Sequence, residues 1–256
     1  MTGFKTVFEV HPSYIHRYTL SSVLVDFSKE MCPDEVDGCS FTKQGLLQTA
    51  LVVVYLLAAP VFGYLGDRYS RKVLVILGMI IWAAFSFASS FMPSYWYYLV
   101  VRAMLSIGLV MLSKNIFIIL TIGESAFTVI APTIIGDLFN EEKRSLAYGV
   151  FYIAIPFGTG LGFFVGGFPS EWRWGLRITP IIALAFLVFV VLFLYDPPRG
   201  ESEGAHVSNN SSLWSDLRYI AGVKSFVLNA AGFTCVTFLT GSVAYYAPTY
   251  FTHVRS

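Results

Sequence analysis

Arg102 and Glu124 stand inside the apolar run 99–139, where a charged side chain is costly and marks a functional position by default. A cation close to such a carboxyl favours its ionised form and desolvation favours the neutral acid, so the surroundings set its charge. A second charged group is Gly63-Tyr64-Leu65-Gly66-Asp67-Arg68-Tyr69-Ser70-Arg71-Lys72, with one anion and three cations between two apolar runs. His16 and Arg17 form a third, and histidine titrates near neutrality. The four histidines show no metal-ligand spacing, and the chain has no phosphate loop and no nucleophile elbow. The residues therefore give no sign of an enzyme, a metal site or a cofactor.

The elements that hold these groups are membrane helices. The 256 residues are 55% hydrophobic, 17% aromatic and 13% charged, too apolar for an ordinary soluble domain. A net charge of +1 gives no reason to propose nucleic-acid binding. Uncharged runs of 18 residues or more occupy 44–66, 73–92, 145–169, 178–195 and 225–252. Each can cross a hydrocarbon core of about 30 Å, which takes about 20 helical residues. The fold class is all-α, a polytopic membrane protein. Residues 1–12 lack an apolar h-region, so no cleavable signal peptide is expected.

The cations of Arg68, Arg71 and Lys72 place the link between the second and third spans in the cytoplasm. Gly63 and Gly66 are expected to let the two backbones approach closely there. Pro60 is expected to kink the second span. The first candidate span is only 18–27, too short to cross. Either residues 1–12 replace the outer turns of a real helix, or the sequence begins downstream of a native start; the second reading is favoured. Cys32 and Cys39 lie beyond it, where a disulfide and two free thiols fit equally well, and Cys235 is expected to pack within the last span. The cluster Tyr95-Trp96-Tyr97-Tyr98 suits a membrane interface.

The run 99–139 has 41 residues, about twice one span. It is either two spans turning near Ser113-Lys114-Asn115, or one span carrying foreign sequence. The later loops 140–144 and 196–224 carry Lys and Arg like 68–72, and all three share the cytoplasmic side only if 99–139 crosses once. The surplus, 109–123, is expected to be a retained intron or mispredicted exon. The next span carries Pro156, Gly158, Gly160, Gly162, Gly166 and Gly167, either a flat contact face or a bendable helix. Asp196-Pro197-Pro198-Arg199-Gly200 stops the sixth span, 201–212 is polar, and 214–223 reads as a short amphipathic surface helix. Asn209 and Asn210 head glycosylation sequons, on the cytoplasmic side where they would not be used.

The ordered motif from Gly63 to Lys72 resembles the loop between helices 2 and 3 of the major facilitator superfamily. Finer matches are similar to its Spinster branch. They include Ser13-Tyr14-Ile15-His16-Arg17-Tyr18-Thr19, the stretch Ala59 to Lys72, Gly123-Glu124-Ser125-Ala126, and Phe151-Tyr152 through Pro156 to Gly162. Trp174, Leu176-Arg177 and Thr179-Pro180 match near the sixth helix, and Gly232-Phe233-Thr234 with Ala247-Pro248 in the seventh.

The resemblance implies a six-helix N-terminal bundle over 1–196, a central cytoplasmic loop over 197–224 and the first helix of a second bundle over 225–256. It implies a transporter of lysophospholipid or sphingoid lipid by proton-coupled alternating access, in a lysosomal, late endosomal or plasma membrane. Its partners would be the lipid or small-molecule substrate, protons and membrane lipids. Glu124 would exchange protons, while Arg102 sets its proton affinity and meets lipid headgroups. With 109–123 set aside the two are seven positions apart on one helix face; as written they are 22 apart, about 33 Å along a continuous helix. His16 stands where the family has a protonatable Asp, beside the matching Arg17. It is either a proton site of reversed charge or a solvated residue on a displaced terminus. Asp67, Arg68 and Arg71, with Gly63 and Lys72 in the motif and Asp137 as partner, would form an inner gate. Two alternatives stay open: a facilitator for another organic anion or sugar, and a truncated, non-transporting fragment with a structural or regulatory role.

Overall fold

Hydrocarbon offers no hydrogen bonds to an open backbone, so a chain this apolar satisfies its N–H and C=O groups within helices. The computed structural model describes residues 11–35, 38–104, 124–139, 141–169, 171–193 and 213–255. Their elements are α1 (His11–Ser22), α2 (Leu24–Met31), α3 (Phe41–Gly66), α4 (Arg71–Ser89), α5 (Tyr95–Met104), α6 (Glu124–Leu138), α7 (Glu141–Gly167), α8 (Trp172–Phe193), α9 (Leu213–Gly222) and α10 (Lys224–Arg255). Among the described residues five helices are long and apolar enough to cross a membrane: Phe41–Gly66, Arg71–Ser89, Lys143–Gly167, Trp172–Leu192 and Lys224–Phe251. The chain divides into two compact units, Met1–Ala205 and His206–Ser256.

The first span differs from the expectation. Helix begins at His11 and, with a break at Val23, continues to Met31. At 1.5 Å per residue that is about 30 Å, enough to cross. Hydropathy missed it because the inward face is polar: Ser13, His16, Thr19 and Ser21 are all buried. His16 is 1% exposed, which removes the reading of a solvated terminus.

What packs against this polar face explains the glycines of α7. A Cβ on Gly162 would lie 2.6 Å from the Ile15 carbonyl oxygen and 2.9 Å from Tyr18 Cβ. One on Gly166 would lie 2.8 Å from the Thr19 carbonyl oxygen. Thr19 Oγ1 also lies 3.2 Å from the Gly162 carbonyl. Glycine here permits backbone-to-backbone contact, the main source of helix affinity where lipid is as apolar as the side chains. Gly160 and Gly167 have open space, so only part of the glycine run is a contact face.

On the other side α3, α4, α6 and α8 share an apolar core through Phe62, Val75, Trp82, Ile134 and Ala183, among others. Both α5 and α6 pack on α3 and α4. Residues 105–123, with the surplus at 109–123 and the turn near Lys114, lie outside the described residues. So do Asp196 to Ser212, including the helix stop and the sequons at Asn209 and Asn210. Beyond α2, Cys32 and Cys39 are disulfide-bonded, which decides between the two readings. Gly38 closes this loop at φ 80°, a left-handed conformation that other residues adopt at a cost.

The second unit contains α9 and α10. The side chain of Cys235 is exposed on α10 rather than packed as the sequence suggested.

Candidate functional site

The Glu124 carboxylate is 2% exposed and accepts a hydrogen bond at 2.7 Å from Nε of Arg17, not from Arg102. Glu124 is the first described residue of α6. Thr128, one turn on, donates to the Glu124 carbonyl at 2.8 Å and lies 3.1 Å from the Tyr55 hydroxyl. Arg17 comes from α1, its guanidinium carbon 5.8 Å from the Tyr14 ring centre and 5.7 Å from that of Tyr55. Those ring faces offset part of the cost of holding a cation away from water. The side chain of Arg17 keeps 19% exposure, so the cation is the wetter partner of the pair.

Arg102 is fully buried at the end of α5. Its Nη2 reaches Gln48 Oε1 at 3.4 Å, and its Nε and Nη1 have no hydrogen-bond partner among the described residues. The expected Arg102–Glu124 couple is thus replaced by Arg17–Glu124, with Arg102 held by α3.

His16 contacts Thr179 Oγ1 on α8 at 2.8 Å and Ser86 Oγ on α4 at 3.0 Å, with its ring edge-on to Trp82. It occupies the space between three helices, beside the Arg17 site and not in solvent.

At the turn between α3 and α4 Arg71 is buried, donates to the Gly66 carbonyl at 3.3 Å and forms an ion pair with Asp137 at the end of α6. Asp67 and Arg68 are exposed at the turn, Arg68 lying over the Tyr64 ring at 4.3 Å, and Lys72 is half-buried. A Cβ on Gly66 would meet Ile130 at 3.2 Å, whereas Gly63 has ordinary room against Val129 at 4.0 Å. Gly66 is therefore close-packed on the Ile130 side chain of α6, which differs from the expected approach of the α3 and α4 backbones.

The sequence reading missed a cluster at the opposite end. Glu30 accepts from Arg173 at 2.6 Å and from the Trp172 indole, and Arg173 also donates to the Ser90 carbonyl at 2.9 Å. This ties α2, α4 and α8 together. The signal was present in Arg173 at the start of the sixth span and Glu30 at the end of the first. Among the described residues no group of three or more His, Cys, Asp or Glu side chains is placed to hold a metal ion.

The pattern of the Major Facilitator Superfamily matches residues 13–256. The chain belongs to the major facilitator superfamily. It is 38% identical to protein spinster of Drosophila melanogaster over 93% of this chain and 36% of that protein. It is 38% identical to protein spinster homolog 1 of Homo sapiens over 95% of this chain and 44% of that protein. It is 34% identical to the sphingosine-1-phosphate transporter SPNS2 of Danio rerio over 93% of this chain and 45% of that protein. This facilitator chain thus spans less than half the length of these curated relatives. Its fold matches, with a TM-score of 0.74 and 17% identity, the crystal structure of a bacterial homologue of the human lysosomal transporter Spinster, inward-facing and unoccupied. The match covers 99% of this chain and 55% of that one. It is an integral membrane protein of a transporter family.

Proposed function

We propose that this facilitator serves the transport of a lipid with an anionic headgroup, of the lysophospholipid or sphingoid class, with proton coupling at Glu124. The carrying observation is the buried Arg17–Glu124 pair, together with a second buried guanidinium, Arg102, that keeps two nitrogens without a partner among the described residues. A phosphate entering this site meets two cations. If it draws Arg17 away, Glu124 is left buried without its counter-charge and takes up a proton instead. The sphingosine-1-phosphate transporters among the relatives support the choice of substrate class. In this reading Gly63, Asp67, Arg68, Arg71, Lys72 and Asp137 form the cytoplasmic gate region. Residues 1–196 form the N-terminal bundle, 197–224 the central loop and 225–256 the first helix of a second bundle. Alternating access rocks two bundles about a midplane site, and the described residues supply one bundle and one further membrane helix.

The test is binding and uptake of radiolabelled sphingosine-1-phosphate and lysophosphatidylcholine by the purified chain, in nanodiscs and in proteoliposomes with and without a proton gradient. Saturable binding weakened by Arg17→Gln or Arg102→Gln, with gradient-driven uptake abolished by Glu124→Gln, supports the proposal. Binding indifferent to both arginines, or uptake that Glu124→Gln leaves unchanged, overturns it.

A further inference from the structure

His16 is 1% exposed, and every polar atom of its ring has a partner. Thr179 Oγ1 lies 3.2 Å from the Leu176 carbonyl, an acceptor to which its own proton goes, so at 2.8 Å from His16 Nδ1 it accepts. That makes Nδ1 the protonated nitrogen. Ser86 Oγ lies 3.0 Å from Nδ1 and 3.2 Å from Nε2, so it holds the ring from α4 without singling out one nitrogen. The imidazole is thereby tied to α4 through Ser86 and to α8 through Thr179. The charged groups facing the ring are Arg17 on its own helix and Arg102 on α5, both cations. Among the described residues no carboxylate faces it from α4 or α8. An imidazolium here would have no counter-charge among the described residues.

We infer that His16 is a positioning residue: a neutral pin that hydrogen-bonds α1 to α4 and α8 and so fixes the rotation of α1 that turns Arg17 onto Glu124. Adjacent residues on a helix are about 100° apart, so holding His16 between α4 and α8 fixes the direction of Arg17. The pin leaves the Arg17–Glu124 pair to carry protonation alone. This deepens the proposed function by naming which of its polar groups does not carry protons.

The experiment uses the full chain in detergent or nanodiscs, with isotope-labelled histidine and arginine. His16→Gln identifies the His16 signals among the four histidines. The expected result is a single neutral Nδ1–H signature for His16 from about pH 5 to 8, the range in which exposed histidines titrate. A His16 signal that titrates in that range, or one in the Nε2–H form, overturns the inference. The positioning role is read from the Nε–H resonance of Arg17, assigned by its loss in Glu124→Gln. It should persist in His16→Gln, which keeps a donor and an acceptor, and disappear in His16→Phe, which keeps only the ring. Survival of that resonance in His16→Phe overturns the role. Thr179→Val provides the same reading should His16→Phe fail to fold. None of these measurements needs transport, so absent lipid uptake sinks the proposed function and leaves this inference standing.

Discussion

Arg17 and Glu124, 107 positions apart in sequence, meet through a 2.7 Å hydrogen bond inside the bundle. Removing one member of a buried pair strands the other charge, which costs about 3–5 kcal/mol, whereas removing both costs less. Arg17→Gln and Glu124→Gln should each lower thermal stability strongly, and the double variant should lose less than the two combined. Thermal unfolding of the four proteins in detergent measures this. Simple additivity would falsify the pairing.

The α1–α7 contact gives a sharp contrast between glycines. Gly162→Ala forces a methyl group to 2.6 Å from the Ile15 carbonyl oxygen, whereas Gly160→Ala meets nothing within 4 Å. Overpacking of this kind costs about 1–3 kcal/mol. In a helix interior alanine otherwise exceeds glycine by about 1 kcal/mol. Gly162→Ala should therefore destabilise the chain and Gly160→Ala should leave it unchanged or steadier, as read from melting temperature. Equal effects would mean that the two helices do not touch at this point.

Beside the turn between α3 and α4, Arg71 and Asp137 are joined by an ion pair, so reversal of one should be rescued by reversal of the other. Arg71→Asp and Asp137→Arg alone should each reduce folded yield and uptake, and the combined swap should restore much of both. Surface expression and proteoliposome flux report the outcome. An unrescued swap points to the Arg71 bond with the Gly66 carbonyl as the contact that matters.

Beyond α2, Cys32 and Cys39 are bonded and Cys235 is exposed. Maleimide labelling of the denatured, unreduced chain should add one group per molecule, rising to three after reduction. Mass spectrometry reads this directly. Closing so short a loop contributes about 2–3 kcal/mol, so Cys32→Ser with Cys39→Ser should lower the melting temperature. Three labels before reduction would exclude the bond.

Glu35 in the same loop accepts from Lys43 and from the Ser40 N–H at 2.8 Å, and these bonds hold its carboxyl below the usual carboxylate range. A depressed value in the folded state stabilises above the unfolded value, near pH 4.5, and that contribution is lost as pH falls through the folded value. The melting-temperature difference between the native chain and Glu35→Gln should be present at pH 7 and shrink in acid. Contact with solvent on the half-buried Glu35 keeps it small. A difference that grows on acidification contradicts the assignment.

Much of the fold was legible in local sequence. Apolar run length reports membrane helices because lipid leaves the backbone no other way to satisfy itself. The Lys/Arg bias between 66 and 73 likewise marked the turn that joins α3 to α4. The boundaries of α1 and α2 were not legible, since His16, Ser13 and Thr19 lower the hydropathy of a helix whose polar side faces protein. The site was legible as a set of residues but not as pairs. Sequence alone determined that Glu124 and Arg102 lie in an apolar run, because the cost of a charge there is a local property, but it left Arg17 just outside the first span it recognised. Only the tertiary structure decided that Arg17 takes Glu124, that Gln48 takes Arg102 and that His16 is enclosed. Those choices depend on how each helix is rotated about its own axis, and that rotation is set by contacts such as Gly162 on Ile15 between segments far apart in the chain.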